Sequence, residues 1–318
     1  MKPIVTLTLN PSIDGAAETD TIRPTHKIRT SNERYYPGGG GINVARVVAE
    51  LGGATCAVYA AGGATGPILD ALIEKRGIAI HRVDIAEDTR ISHSVFERST
   101  GLEYRFVPEG PELQPKEWQS CLDALDDVAC DYLVASGSLP RGVPEDFYVR
   151  VSAIAGRTGA RLVVDSSGPA LRAAVAAGGL HLVKPSLGEF EALVGRKLPD
   201  AEAQHAAAME LVGSGKVALL AVTLGHLGAF LAEPGGVLRL PAMPIQAKSA
   251  VGAGDSFVAG MTLGLARGLP PREAFKLGMA AGTAAVLTPG TELCSRADVE
   301  RLFAELQATP EGRPASVI

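Results

Sequence analysis

Short apolar segments alternate with longer amphipathic segments along most of the chain. The apolar segments are rich in β-branched residues and predict strands, whereas apolar positions at helical spacing predict helices. The predicted strands are residues 4–9, 54–61, 132–135, 162–164, 180–183 and 218–222, and the predicted helices are residues 42–51, 68–75, 115–126, 145–158, 169–177, 201–213, 271–287 and 297–307. This alternation is typical of parallel βαβ units and predicts an α/β fold, with a doubly wound, mostly parallel sheet and helices on both faces.

Two segments, residues 14–36 and 90–107, depart from this pattern. Both interleave polar and charged side chains with single apolar ones, which is typical of a sheet with one face in water. The second segment alternates on either side of Ser99-Thr100-Gly101 and predicts a hairpin. We expect the two segments to meet as a small β-sheet lid on a single domain of residues 1–318. Residues 229–231 and 237–240 predict an antiparallel pair at an edge, and the tail after Thr309 is expected to be frayed.

Two glycine-rich loops lead directly into apolar helical segments. Residues 38–41 are four glycines, and residues 252–254 precede a segment, 256–267, that carries no charge before its last residue. The first N–H groups of a helix have no partner inside it, and this end of the helix carries partial positive charge. Because glycines let an anion approach the backbone closely, residues 252–254 predict a phosphate site.

Asp255 follows the second loop directly and would stand beside a bound phosphate. Since phosphate repels a carboxylate, we expect Asp255 to have a chemical role, which is to accept the proton of a hydroxyl that attacks a phosphoryl group. The alternative is that Asp255 only caps the helix, because Asp is favoured at helix N-termini. The positive end of the helix is expected to keep Asp255 ionised, which would make it a weak base.

Composition narrows the class of protein. With 318 residues, 46% of them hydrophobic and 20% charged, the chain can bury a large core. The net charge of −5, without a basic run, argues against nucleic acid as a partner. Four cysteines without CxxC or zinc spacing predict reduced thiols in a cytoplasmic protein. Neither a signal-peptide pattern nor an apolar run of about eighteen residues is present, so no membrane association is expected.

Several common catalytic motifs are absent. Residues 213–217 lack the first glycine and the Ser or Thr of a P-loop, and the glycines at 38–41 do not form GxGxxG. Ser136 and Ser138 have no histidine partner, which argues against a serine hydrolase. The histidines stand alone, without the spacing of metal ligands.

The two glycine loops resemble the two signatures of the ribokinase-like (PfkB) carbohydrate kinases. The matching segments are GGGGINVAR at 38–46 and VGAGDSF at 251–257. The resemblance extends to LNPSID at 9–14, SGSLP at 136–140, VDSSG at 164–168 and VKP at 183–185, so it covers nearly the whole chain in the family's order. Within the family, residues 27–29 and 104–107 are most similar to the minor 6-phosphofructokinases. The 1-phosphofructokinases and tagatose-6-phosphate kinases are close relatives of these.

The resemblance implies an ATP-dependent kinase that phosphorylates a hydroxyl of a sugar phosphate. The leading substrate is fructose 6-phosphate, giving fructose 1,6-bisphosphate; fructose 1-phosphate and tagatose 6-phosphate are alternatives, and a non-catalytic sugar-phosphate-binding regulator is the alternative outside this class. Asp255 matches the family's base, with Gly252, Ala253 and Gly254 forming an anion hole. The implied substrate ligands are Asp14, Lys27, Arg29, Gly39, Gly40, Asn43, Arg90, Arg105 and Ser138. The four cations lie in the predicted lid, where they suit a sugar phosphate; a solvated charged surface is the alternative.

The resemblance also implies the nucleotide and cation sites. The implied nucleotide ligands are Lys184, Ser186, Glu189, Thr223, Gly225, Gly228 and Gly254. Glu189 matches a magnesium-linked glutamate, but Ser186-x-x-Glu189 replaces the family's Asn-x-x-Glu and is also a capping box. Many relatives hold a monovalent cation with loops like 249–251 and 285–290, so K⁺ is a candidate, although Glu292 stands where near relatives have a basic residue. By the same resemblance, the apolar face of the lid forms a homodimer.

Overall fold

The computed structural model describes residues 2–288, 290 and 292–308. Its strands are β1 (Ile4–Thr8), β2 (Ser12–Thr19), β3 (Ser31–Gly38), β4 (Thr55–Gly62), β5 (Ala79–Ile85), β6 (Arg90–Glu97), β7 (Leu102–Phe106), β8 (Tyr132–Ser136), β9 (Arg161–Asp165), β10 (Leu180–Val183), β11 (Val217–Thr223), β12 (Ala229–Glu233) and β13 (Gly236–Leu240). Its α-helices are α1 (Gly40–Glu50), α2 (Gly66–Glu74), α3 (Pro115–Asp126), α4 (Phe147–Thr158), α5 (Gly168–Ala177), α6 (Leu187–Val194), α7 (Ala201–Gly213), α8 (Ala253–Ala266), α9 (Pro271–Ala285) and α10 (Arg296–Ala308). The tail after Thr309 lies outside the described residues.

Nine strands form one sheet in the order β13-β12-β11-β10-β9-β8-β1-β4-β5. From β11 to β5 every neighbouring pair is parallel, and β12 and β13 continue the sheet as antiparallel strands. All residues of β1 and β8 are buried, as expected for central strands with helices on both faces. The predicted doubly wound, mostly parallel sheet is confirmed.

Alternate residues of each strand enter two cores on opposite faces of the sheet. In β8, Leu133 and Ala135 pack in the core shared with α3, α4, α5 and α7, whereas Tyr132 and Val134 pack in the core shared with α1, α8, α9 and α10. Helix α8 is apolar on every side and is buried continuously from Ser256 to Leu265. This burial holds the N-terminus of α8 against the sheet.

The remaining four strands form a separate sheet in the order β3-β2-β6-β7. Its centre is a parallel pair, β2 with β6, which joins residues from the two segments that departed from the main pattern. Strands β6 and β7 form the predicted hairpin. That this sheet acts as a lid, and that residues 1–318 form one domain, stay predictions.

The register of the four-stranded sheet places Asp14 and two arginines on one face and most of its exposed apolar side chains on the other. Asp14 pairs with Ser92 on β6, and Arg105 pairs with Ser94, so Asp14, Arg90 and Arg105 share one face. The opposite face carries exposed apolar side chains. They are Tyr35, Leu102, Tyr104 and Phe106. One face of the sheet therefore suits a charged ligand, and the other suits an apolar partner.

Two elements were not predicted from the sequence. Strand β5 carries charged residues because it is the last strand of the sheet and only part of its surface is buried. Helix α6 has eight residues, too few for a helical pattern to stand out, and only Phe190 in it is fully buried. Both elements depend on the neighbours they pack against.

The cysteines and the helix lengths agree with the composition. Cys56, Cys121, Cys130 and Cys294 are all unpaired. Burial raises the pKa of Cys121 to about 12 and that of Cys130 to about 11, so both thiols stay protonated at neutral pH. Among the described helices, none combines the length and apolar character needed to cross a membrane.

Candidate active site

The N-terminus of α8 is built to receive an anion. Gly252 immediately precedes the helix with φ 71°, in the left-handed region that favours glycine, and a Cβ at this position would lie 2.3 Å from Leu293 Cδ2. The Ala253 N–H makes one long bond, 3.4 Å, to the Ala250 carbonyl. The N–H groups of Gly252, Gly254 and Asp255 have no acceptor within the described ranges. These donors are available to a phosphoryl group.

The carboxylate of Asp255 lies half-buried beside these amides. Its Oδ2 accepts a hydrogen bond from Asn43 Nδ2 at 2.9 Å. Burial, followed by the negative charge of Asp165, raises the pKa of Asp255 to about 6, against the opposing effects of Asn43 and Lys184. The expectation that the helix terminus makes Asp255 a weak base was wrong, because burial and acidic neighbours outweigh the helix dipole. A carboxylate with this pKa is a better base at neutral pH.

The capping alternative for Asp255 does not match the geometry. Gly252 occupies the N-cap position, and Asp255 is the third helical residue. The bond that its carboxylate accepts comes from Asn43, on another helix. Over the part of the chain that the structure describes, no helix N–H donates to this carboxylate.

Lys184 supplies a buried positive charge next to the same helix terminus. It follows β10, is 5% exposed, and places Nζ 3.2 Å from Asp165 Oδ1. A Cβ on Gly254 would lie 3.4 Å from Nζ, so the ammonium adjoins the first turn of α8. Burial disfavours its charge, but the carboxylates of Asp165, Asp255 and Glu189 raise the pKa of Lys184 above its ordinary value. Lys184 is therefore a fixed cation that can face a phosphate.

The first glycine loop packs tightly against the ends of β1, β2 and β8. Gly39 has φ 110°, and a Cβ there would lie 2.9 Å from Thr8 Cγ2. A Cβ on Gly40 would lie 2.3 Å from Ser136 Oγ. These contacts bring Asn43, in the first turns of α1, close enough to Asp255 to bond it.

Asp14 stands in β2 and faces the glycine loop. A Cβ on Gly38 would overlap the Asp14 carboxylate at 2.1 Å, and Ser12 Oγ donates to Asp14 Oδ1 at 2.6 Å. Asp14 also contributes to the raised pKa of Asp255, which places the two carboxylates in one electrostatic environment. Ser138, just after β8, is exposed. Together they present several groups that can bind hydroxyls.

The structure does not gather the four predicted cations at one point. The Arg90 guanidinium donates to three backbone carbonyls: Nη2 to Asn10 at 2.8 Å, Nη1 to Pro108 at 2.9 Å and Nε to Pro11 at 3.3 Å. Arg90 therefore holds the polypeptide together as well as offering charge. Arg105 is exposed and lies opposite Ser94, four residues along β6 and thus about 13 Å from Arg90.

Lys27 and Arg29 lie at the far end of the four-stranded sheet. The Arg29 carbonyl accepts a bond from Thr19 Oγ1 at 3.1 Å, and Thr19 is five residues along β2 from Asp14. At strand spacing this is about 17 Å, so neither cation is near Asp14 of the same chain. Both side chains are exposed.

The predicted nucleotide residues line the ends of β10 and β11. The Thr223 N–H donates to the Pro185 carbonyl at 3.0 Å, and Ser186 bridges to Thr223. Gly225 has φ 61° and faces open space, which leaves room for a ligand. A Cβ on Gly228 would lie 2.1 Å from the Leu240 carbonyl, so packing against β13 already requires glycine there.

Ser186 and Glu189 form the capping box of α6. The Ser186 N–H and Oγ both donate to Glu189 Oε2, at 2.7 and 2.8 Å. The capping box that the sequence allowed for Ser186 and Glu189 is therefore present, but its bonds use only one of the two carboxylate oxygens of Glu189. No group of three His, Cys, Asp or Glu side chains within the described ranges could hold a metal. Mg²⁺ needs only one or two carboxylates besides phosphate and water, so Glu189 Oε1 still fits such an ion.

Comparison with known proteins accounts for this arrangement. Residues 7–298 match the pfkB family of carbohydrate kinases. The chain belongs to this family.

The relatives of this pfkB-family chain cover nearly its whole length. It is 45% identical over 309 residues to the ATP-dependent 6-phosphofructokinase isozyme 2 of Mycobacterium tuberculosis, which covers 96% of this chain and 90% of the relative. It is 35% identical over 266 residues to the 1-phosphofructokinase of Xanthomonas campestris, with 82% and 83% covered. The crystal structure of phosphofructokinase-2 from Escherichia coli in complex with potassium superposes with a TM-score of 0.93, at 40% identity over 96% of this chain and 100% of that one.

Sequence reasoning missed the contacts that two polar residues make in this pfkB-family site. Arg46 is only 8% exposed, and its Nη1 donates to Asn43 Oδ1 at 3.0 Å and to the Pro37 carbonyl at 2.9 Å. Its spacing of three residues from Asn43, on an otherwise buried face of α1, was the available signal. Glu292 Oε1 accepts bonds from Tyr36 and Arg34, which joins the four-stranded sheet to the loop beside Gly252. No local pattern pointed to this link.

Proposed function

We propose that the chain is an ATP-dependent kinase that converts fructose 6-phosphate to fructose 1,6-bisphosphate. The observation that carries this proposal is the carboxylate of Asp255 beside acceptor-free amides at the N-terminus of α8, with the buried ammonium of Lys184 adjoining them. The 45% identity to a 6-phosphofructokinase isozyme 2 supports the choice of substrate.

The proposed reaction needs a base, an anion hole and a cation. Asp255 accepts the proton of the sugar hydroxyl as its oxygen attacks the terminal phosphorus of ATP. A new O–P bond forms, the bond to the bridging oxygen breaks, and ADP leaves. The amides of Gly252, Ala253 and Gly254, with Lys184, stabilise the charge on the transferring group. Since little covalent help is needed in such a transition state, positioning carries much of the rate.

Glu189 Oε1 is the proposed protein contact for magnesium. Glu189 lies at the same edge of the sheet, because its charge acts on both Asp165 and Lys184. Bound Mg²⁺ would neutralise phosphate charge.

We also propose activation by potassium and a cytoplasmic location. The amides of Lys248 and Ser249 donate to the Val286 carbonyl at 2.7 and 3.4 Å, which holds the two candidate loops against each other. Pro289, within the predicted site, lies outside the described residues. The unpaired cysteines support the location.

The sugar phosphate would bind under the charged face of the four-stranded sheet, which we propose acts as a lid. Arg90 and Arg105 share this face with Asp14 and can meet the substrate of their own chain. Lys27 and Arg29 are too distant to do so. They would serve the site of a second chain in a homodimer formed through the opposite, apolar face of the lid.

The alternative within the class is a kinase for fructose 1-phosphate or tagatose 6-phosphate. The 35% identity to a 1-phosphofructokinase supports fructose 1-phosphate as an alternative substrate. A non-catalytic regulator is disfavoured, because such a protein would not need a half-buried carboxylate with a raised pKa beside the anion hole.

A coupled assay of ADP release against these three phosphosugars tests the proposal. We expect fructose 6-phosphate to give the highest kcat/KM, and Asp255→Asn to lose about 10²–10⁴-fold in kcat. Asp123→Asn, an exposed change on α3, is the matched control. Robust turnover by Asp255→Asn would remove its role as base, and no turnover by the parent with any phosphosugar would favour the regulator.

Replacing K⁺ with tetramethylammonium in the same assay should lower the rate of ADP release. An unchanged rate would count against the proposed potassium site.

A further inference from the structure

The side chain of Asn43 lies between two charged groups of opposite sign. Its Nδ2 donates to Asp255 Oδ2 at 2.9 Å, and its Oδ1 accepts from Arg46 Nη1 at 3.0 Å. Asn43 and Arg46 are each 8% exposed. Three groups from α1 and α8 thus form a continuous hydrogen-bonded row that ends at the proposed base.

The guanidinium of Arg46 allows only one orientation of this amide. A guanidinium donates hydrogen bonds and cannot accept them, so it must face the oxygen of Asn43. The nitrogen of Asn43 is then left to face Asp255. The reversed amide would oppose two donors at Arg46 and two acceptors at Asp255, so both contacts would become repulsive.

Arg46 is itself held firmly by the rest of the structure. Its Nη1 also donates to the Pro37 carbonyl of β3 at 2.9 Å, and the guanidinium lies 5.7 Å from the centre of the Tyr36 ring. Burial lowers the pKa of Arg46 to about 10, so it stays charged at neutral pH. The orientation of Asn43 therefore follows from the docking of β3 on α1.

We propose that Arg46 is a positioning residue of the reaction, which locks the Asn43 amide so that its N–H always faces Asp255. This inference rests on the proposed function, in which Asp255 is the base. Without Arg46, only the carboxylate itself would hold the amide in this orientation, and the bond that stabilises the ionised carboxylate would be weakened. The proton would then be held more tightly by Asp255.

Other charges facing Asp255 remain unchanged when only Arg46 is altered. They come from Asp165 at the end of β9, Lys184 after β10 and Asp14 in β2. Arg46 also attracts the carboxylate through space, since Asp255 raises the pKa of Arg46. A decisive experiment has to separate this direct attraction from the orientation of Asn43.

The test is a ¹³C NMR titration of the aspartate carboxyls in the ligand-free protein, with the Asp255 signal assigned by its loss in Asp255→Asn. We expect the parent to titrate near pH 6 and Arg46→Met to titrate about one pH unit higher, a tenfold change in proton affinity. In an Asn43→Ala background, Arg46→Met should add only the smaller shift that comes from the loss of this direct attraction. Arg76→Met is the matched control, because it removes an exposed arginine near Arg46. It should leave the pH at which Asp255 titrates unchanged.

Two results would overturn the proposal. One is an unchanged titration in Arg46→Met, and the other is an equal shift with and without Asn43, which would assign the effect to charge alone. If Arg46→Met does not fold, as judged by its circular dichroism, Arg46→Gln carries the same test, because a glutamine amide no longer dictates the orientation of Asn43. The titration requires no turnover, so loss of the kinase proposal through an active Asp255→Asn would be seen separately.

Discussion

At the scale of single residues, the raised pKa of Asp255 affects both the chemistry of the site and the free energy of unfolding of the chain. The pKa of about 6 in the folded chain lies above the ordinary value near 4. Between these values the unfolded chain binds fewer protons than the folded one, so the free energy of unfolding falls as pH rises. Above pH 6 the ionised carboxylate therefore destabilises the fold that positions it.

Asp255→Asn should consequently be more stable than the parent at neutral pH. We expect a gain of about 1–3 kcal/mol in the free energy of unfolding at pH 8, because the buried charge is removed. The gain should disappear by about pH 4, where Asp255 is protonated in the parent. Urea unfolding at the two pH values measures this, with Asp123→Asn as control. Equal stability of Asp255→Asn and parent at pH 8 would contradict the burial of an ionised group.

Gly252 fixes the geometry of the anion hole. Gly252→Ala must accommodate a Cβ 2.3 Å from Leu293 Cδ2 and a positive φ, so we expect a loss of about 1–3 kcal/mol in stability and a lower kcat. Gly156→Ala is the matched control, because Gly156 lies inside α4 with open space around it. That change should stabilise by about 0.5–1 kcal/mol. Thermal unfolding measures the stability of both variants relative to the parent. A Gly252→Ala variant as stable as the parent would contradict the predicted strain.

At the scale of whole elements, Arg90 and Glu292 connect the four-stranded sheet to the neighbouring parts of the chain. Arg90, the first residue of β6, bonds the carbonyls of Asn10 and Pro11 before β2 and of Pro108 after β7. It therefore ties together chain segments that enter and leave the four-stranded sheet. Glu292 makes a second connection, from β3 to the loop beside Gly252. These contacts join the four-stranded sheet to the loop beside the anion hole, so the movement of the proposed lid would be felt there.

Arg90 and Arg105 should respond differently to replacement by methionine. Arg90→Met should lower the free energy of unfolding by about 2–4 kcal/mol, because charged hydrogen bonds to carbonyls are lost. Arg105→Met, at an exposed position, should change it by less than about 0.5 kcal/mol. Both should raise KM for fructose 6-phosphate if the charged face binds its phosphate. Unchanged KM in both variants would mean that the substrate is not recognised through this phosphate.

For the molecule as a whole, the relevant feature is the exposed apolar face of the four-stranded sheet, through which we propose that two chains associate. Phe106 is 60% exposed and Leu102 57% exposed, on the face opposite Asp14. Contiguous exposed apolar side chains are unfavourable in water, and in the proposed symmetric dimer they would be buried against the same face of a second chain. The proposed dimer would also bring Lys27 and Arg29, which lie far from Asp14 of their own chain, to the site of the second chain.

Phe106→Glu should therefore disrupt the dimer and weaken substrate binding. Ile68→Glu is the matched control, because Ile68 is 51% exposed but lies on α2, outside the four-stranded sheet. We expect analytical ultracentrifugation at micromolar concentration to give a dimer for the parent and control and a monomer for Phe106→Glu. KM for the phosphosugar should rise in the monomer, since the cations of the second chain are lost. A monomeric parent would contradict the interface.

The sequence by itself determined the features that depend on local physics. Periodic apolar positions specify strands and helices, and a glycine loop before an apolar helix specifies donors at its N-terminus; the main sheet and the loop at 252–254 followed from these patterns. Family resemblance then assigned roles to residues such as Asn43 and Lys184. The edge strand β5 escaped prediction because its burial depends on β4.

Only the tertiary structure decided features that arise between distant parts of the chain. Asn43 and Asp255 are 212 residues apart in sequence yet hydrogen-bonded, and Arg46 became part of the site through its burial behind them. The pKa of Asp255 was predicted in the wrong direction, because desolvation and the charge of Asp165 come from packing that no short segment encodes. Likewise, the bonds of Arg90 to three carbonyls exist only because separate strands meet. Burial and long-range contact, which set proton affinity and side-chain orientation, are properties of the folded chain.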